Sequence, residues 1–141
     1  MTTYPQQGQQ PALPAPAAVK AIIAEDKPED LVKLAEQMGQ RIARQVTTSQ
    51  IRNVFGTVRQ IEMNWRNNPQ ASYRQTVLLR PKLSYAAARE RGQGIKDLEK
   101  VLSPAIEAIG EGTVEQRDER FVRFVQFFEA ILAYHKANGG I

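Results

Sequence analysis

The chain contains no cysteine and a single histidine, His135. The first absence removes disulfide cross-links, thiolate catalysis and cysteine zinc sites together. The second leaves no histidine cluster to hold a metal. Long apolar runs are missing as well. No stretch approaches the roughly 20 apolar residues needed to cross a bilayer, and the start lacks the basic segment and apolar run of a secretory signal. No convincing strand pattern occurs, which also removes phosphate loops of the strand–loop–helix kind. The expectation is a cytoplasmic protein with no metal, no cofactor and no membrane partner.

Acid is scarce in one place. Residues 47–96 hold seven Arg and two Lys against only Glu62 and Glu90, a local net charge of +7. The first 46 residues balance five cations with five carboxylates, and residues 97–141 set five against eight, for −3. A basic middle between neutral and acidic flanks points to one face meant for a polyanion, nucleic acid first among candidates. The plainer reading is a solvated surface that keeps a helical protein dispersed.

Four prolines lie before residue 17 among Gln and small residues, and no charged side chain precedes Lys20. Such a stretch buries too little apolar area to offset its ordering entropy, so residues 1–24 are expected to be a disordered tail. Residues 25–141 are left as one folded domain. Its apolar spacing is helical almost throughout. Pro28, followed by Glu29 and Asp30, starts a helix whose buried stripe is Leu31, Leu34, Ala35, Met38 and Ile42. Thr47 to Gln50 has the form of a capping box, opening a helix that buries Ile51, Val54, Phe55, Val58, Ile61 and Trp65. Pro81 lies inside the next helical pattern and predicts a break there, because it lacks a donor and disfavours helical geometry at Arg80. Pro104 predicts a kink, or two short helices, in the fourth segment. Thr113 with Gln116 opens the last helix, whose stripe carries Phe121, Phe124 and Phe128 as core. The fold class is all-α: a compact bundle of about five helices with a proline-broken third helix and a disordered N-terminal tail.

A catalytic reading finds little to stand on. His135 is the one conventional base, and its place in the last helical turns suits capping of carbonyls. Glu115, Asp118 and Glu119 occupy the first turns of a helix, where carboxylates favour the dipole rather than form a metal pair. A binding reading finds more. Arg52, Arg59 and Arg66 recur every seven residues, about 10 Å apart along one helix side. Arg80, Lys82, Arg89 and Arg91 form a second group, and Arg41 joins as a lesser member. Guanidinium forks suit phosphates and position a strand without reading its sequence. With two acids in the segment, local pairing leaves most of these cations unmatched. The alternatives are a helical protein–protein interaction module that binds no nucleic acid directly, and a small nuclease using His135.

Three stretches carry a family resemblance: Thr48-Ser49-Gln50-Ile51-Arg52-Asn53-Val54-Phe55, the run Leu78-Leu79-Arg80-Pro81-Lys82-Leu83-Ser84-Tyr85-Ala86-Ala87-Ala88-Arg89, and the aromatic segment from Phe121 to Lys136. In order and spacing they resemble the small helical subunit of type III-A (Csm-type) CRISPR effector complexes. The resemblance spans roughly residues 30–138. It implies a non-catalytic protein of antiviral defence whose copies stack along the guide RNA–target RNA duplex beside the repeating backbone subunit. It also implies RNA contacts at Arg52, Arg80, Lys82 and Arg89; Arg59 and Arg66 are added by helical face, and Arg41 and Arg91 are lesser candidates on the same grounds.

Overall fold

The computed structural model describes residues 11–90 and 92–141, so residues 1–10 of the expected tail and Arg91 lie outside it. Among the described residues there are six helices and no strand: α1 (Pro16–Ala24), α2 (Pro28–Ile42), α3 (Thr48–Trp65), α4 (Pro69–Arg89), α5 (Gly94–Glu111) and α6 (Val114–Ala137). The class is all-α, as the apolar spacing requires. Local chemistry starts α3 and α6. The Thr47 side chain accepts from the Gln50 amide while the Gln50 side chain accepts from the Thr47 amide, and Thr113 and Gln116 repeat the arrangement.

The stripes then assemble the core. Phe124, Phe127 and Phe128 of α6 are fully buried beside Ile51, Val58, Leu98 and Ile109. Phe55 meets Phe128 edge-on with centroids 5.0 Å apart, and Trp65 stacks on Phe121 at 4.1 Å. Aromatic pairs of these geometries add specificity to the large area they bury. The bundle closes chiefly where α2 crosses α6 and where α1 lies on α5.

The α2–α6 crossing depends on Gly39. A Cβ there would lie 2.5 Å from the Tyr134 Cβ and 2.8 Å from the His135 backbone nitrogen, so no flexible side-chain end is available to yield. Gly39→Val is therefore expected to cost about 1–3 kcal/mol by overpacking. Thermal unfolding followed by circular dichroism should show the melting temperature down by several degrees, and an unchanged midpoint would contradict the crossing.

Two sequence expectations fail. Residues 16–24, expected within the disordered tail, form α1. Its Val19, Ile22 and Ile23 are fully buried at helical spacing, and Pro16 occupies a first-turn position where its missing donor costs nothing. Arg123 Nε donates to the Ile23 carbonyl at 2.8 Å, satisfying an α1 end that has no following turn. Pro81 does not break a helix either: α4 runs through it from Pro69 to Arg89. The ring faces solvent, while Thr76, Leu79, Leu83 and Ala87 anchor the turns on both sides. The Val77 carbonyl that loses its partner belongs to a residue 36% exposed, at the water side where helix carbonyls normally tilt outward. Of the two outcomes expected at Pro104, the pair of short helices is not found: the residue sits within a single helix, α5.

Candidate nucleic-acid interface

The cations of the basic middle divide by the neighbour each one faces. Arg59 of α3 donates to Glu62 at 2.8 Å and to Glu129 of α6 at 2.7 Å, with its guanidinium 4.9 Å from the Phe55 ring centre. Arg66 lines a hollow of about 440 Å³ together with Glu62, Asp118 and Glu119. The arginine row on α3 thus exists, but its side looks toward α6 and meets carboxylates supplied by that helix. Arg52 stands exposed at the other end of the row, without an ion partner among the described residues.

Arg80 turns toward α5, where Nη2 lies 2.6 Å from Glu107. Glu107 is shared with Lys20 of α1 at 3.1 Å, and Lys20 also reaches Glu111 at 2.8 Å. The hydrogen bond from Lys20, with the Arg80 charge beside it, holds the Glu107 carboxyl below the ordinary glutamate value. Arg41 is the most enclosed of the group. Its Nε contacts Asp97, a carboxylate only 1% exposed, at 2.8 Å, and its Nη1 donates to the Pro11 carbonyl at 2.8 Å. Gln93 completes the shell of Asp97 at 3.0 Å. Counting nearby acids understates the pairing: Arg59 meets Glu62 locally, and Arg41, Arg59 and Arg80 find further acids far along the chain.

Lys82 and Arg89 remain. Both are exposed on α4 and have no ion partner among the described residues. Arg74, Leu78, Lys82, Tyr85 and Arg89 recur at steps of three and four, forming one solvent-facing stripe of that helix. Arg74 is absent from the sequence candidates. The expected break at Pro81 separates it from Lys82, and unbroken helical spacing is the signal that would have found it. Tyr85, 67% exposed, puts an aromatic face between Lys82 and Arg89.

The remaining chemical candidates are accounted for by packing. His135 is buried, and its Nε2 lies 2.6 Å from the Val46 carbonyl, which fixes the proton on that nitrogen. Gly140 packs against the other side of the ring, and a Cβ there would overlap Nδ1 at 2.2 Å. Neither nitrogen is open to a substrate. Asp118 accepts from the Trp65 indole at 2.7 Å. No group of metal-ligating side chains occurs among the described residues, and no described helix is long and apolar enough to cross a membrane.

Fold and surface together define a small all-α protein with a cationic helix face. The family model Csm2 Type III-A matches residues 25–140, and the chain belongs to that family: it is a small Csm2-type subunit of the type III-A CRISPR complex. No curated protein and no solved structure matches the chain. The match begins after α1, which is thus an element of this chain outside the matched span.

Proposed function

We infer that this subunit is non-catalytic and binds the guide RNA–target RNA backbone without reading sequence, as part of antiviral interference. The α4 stripe carries the inference. Arg74, Lys82 and Arg89 stand exposed along one helix side, at axial steps of about 12 and 10 Å, with no carboxylate to satisfy them among the described residues. Unmatched cations in a row suit a phosphate backbone, and Tyr85 among them offers a ring face for stacking. Guide pairing supplies sequence information, so contacts of this kind suffice. Arg52 extends the candidate surface around α3, and Arg66 does so beside the carboxylates of Glu62, Asp118 and Glu119. Phosphate contacts at Arg41, Arg59 or Arg80 require exchange of a carboxylate partner already in place. The repeating backbone subunit and further copies of this chain are the expected protein partners.

Replacing Lys82 and Arg89 together by Glu is expected to weaken binding of a labelled single-stranded RNA by roughly tenfold or more at low salt. It should also flatten the dependence of log K on log salt, by about 0.7 for each phosphate no longer neutralised. Fluorescence anisotropy across a salt series reads both. An unchanged affinity in a variant still folded by circular dichroism sinks this assignment. A protein–protein module is favoured by one observation, the exposure of Met63, Val114 and Val122. It predicts capture of a purified complex subunit that is indifferent to the charge reversal.

A further inference from the structure

The turn between α3 and α4 carries a cavity unlike its neighbours. It measures about 740 Å³ and is lined by Arg74 and Arg117 with Asn68, Gln70, Tyr73 and Leu78. No carboxylate is among the described residues that line it. The adjoining hollow at Arg66 includes Glu62, Asp118 and Glu119, and the one at Arg80 includes Glu107 and Glu111, so both are compensated internally. A third hollow shares Gln70, Tyr73 and Arg117 with this one and includes Asp118, whose carboxylate is engaged by the Trp65 indole at 2.7 Å. Two guanidiniums in a lining without a carboxylate, with the nearby Asp118 engaged by Trp65, leave positive charge in excess there.

Arg117 comes from α6 and lies over Tyr73, its guanidinium carbon 4.0 Å from the ring centre. Stacking holds the fork in place and lowers the ordering cost of a bidentate contact. Its Nε is shielded from solvent and has no hydrogen-bond partner among the described residues, so the guanidinium can meet a ligand in the hollow only through its terminal amino groups. Arg74 stands exposed across the cavity. Gln70 adds an amide group and Asn68 its amide nitrogen, the Asn68 oxygen being engaged by the Ala71 amide at the start of α4, while Val77 and Leu78 supply an apolar wall. Cationic forks beside amides and an apolar wall match a nucleoside phosphate: the anion to the arginines, the base edge to the amides and the ring to the wall. Arg74 and Leu78 belong also to the α4 stripe, so the cavity opens onto the proposed RNA surface.

We propose that this cavity is a nucleotide subsite, in which Arg74 and Arg117 clamp one phosphate of a single-stranded segment whose base rests against Leu78. The subsite rests on the RNA-binding reading and adds an open recess to its track. The ligand chemistry is shared by a free nucleotide and by one residue of an RNA strand, and the two are separated by measurement on the full-length protein. Uridine 5′-monophosphate and a labelled twelve-nucleotide single-stranded RNA serve as probes. Arg74→Gln and Arg117→Lys are each expected to weaken RNA binding about fivefold or more, the second because a point charge replaces a stacked fork. Chemical-shift perturbation by the mononucleotide should centre on Asn68, Gln70 and Tyr73 and vanish in Arg74→Gln; perturbation with no gain in affinity for RNA over mononucleotide would make the source a free nucleotide. If Lys82 and Arg89 prove necessary for RNA while Arg74→Gln and Arg117→Lys bind as wild type, the subsite is overturned and the RNA surface stands. If wild type binds neither probe, both fall.

Discussion

Truncating Phe128 to alanine is expected to remove about 3–5 kcal/mol of stability, a large share of the roughly 5–15 kcal/mol typical of a domain. The ring is fully buried between Phe55, at 5.0 Å, and Phe124, at 6.4 Å. Little can collapse into the space left, since the neighbours are themselves rings held by α3 and α6. Urea unfolding should show the midpoint lowered with the slope nearly unchanged, because the surface exposed on unfolding scarcely alters. The same experiment bears on function. Phe121, Phe124 and Phe128 are read as core and not as a base-stacking platform; a Phe128→Ala protein of unaltered stability that had lost RNA binding would reverse that.

The second large effect belongs to Arg41. Arg41→Ala strips the ion partner from Asp97, a buried carboxylate of α5 then left with Gln93 alone. Removing one member of a buried pair costs up to about 3–5 kcal/mol, and the partial exposure of Arg41 places the expected loss toward the lower end. Adding Asp97→Asn should recover much of it, since the orphaned charge is then gone and an amide can still meet Gln93. Thermal melts of the two single variants and the double variant close the cycle. A direct role of Arg41 in RNA binding predicts the opposite pattern: stability retained, affinity lost, and no rescue by Asp97→Asn.

What is legible in the sequence follows from the range of each interaction. The capping boxes at Thr47 and Thr113, the α3 stripe and the aromatic spacing of α6 are fixed within a few residues, and all appear as expected. One mate is local, Glu62 three positions from Arg59, and the others are not: Glu129 lies 70 positions from Arg59, Asp97 lies 56 from Arg41, and Glu107 lies 27 from Arg80. A count of acids inside residues 47–96 cannot reveal them. Pro81 misleads because its cost depends on which face it occupies, a property of packing. The α1 helix is hidden by composition. Three buried residues, Val19, Ile22 and Ile23, outweigh the prolines before them once α5 supplies a surface to bury against. The candidate site is legible as a bias of charge, and its α4 stripe only once the helix proves continuous.

The crossing at Gly39 has a kinetic consequence. Its partner, Tyr134, follows about 95 positions later, and α1 packs chiefly on α5. At synthesis rates of about 5–20 residues per second, the apolar faces of α1 and α2 wait roughly 5–20 s for the helices that cover them. Closure through such distant segments is also slower than in a bundle built from adjacent hairpins. The nascent chain therefore spends that interval with α3 and α4 able to pair locally while its N-terminal helices stay open to chaperones, and to each other in neighbouring copies.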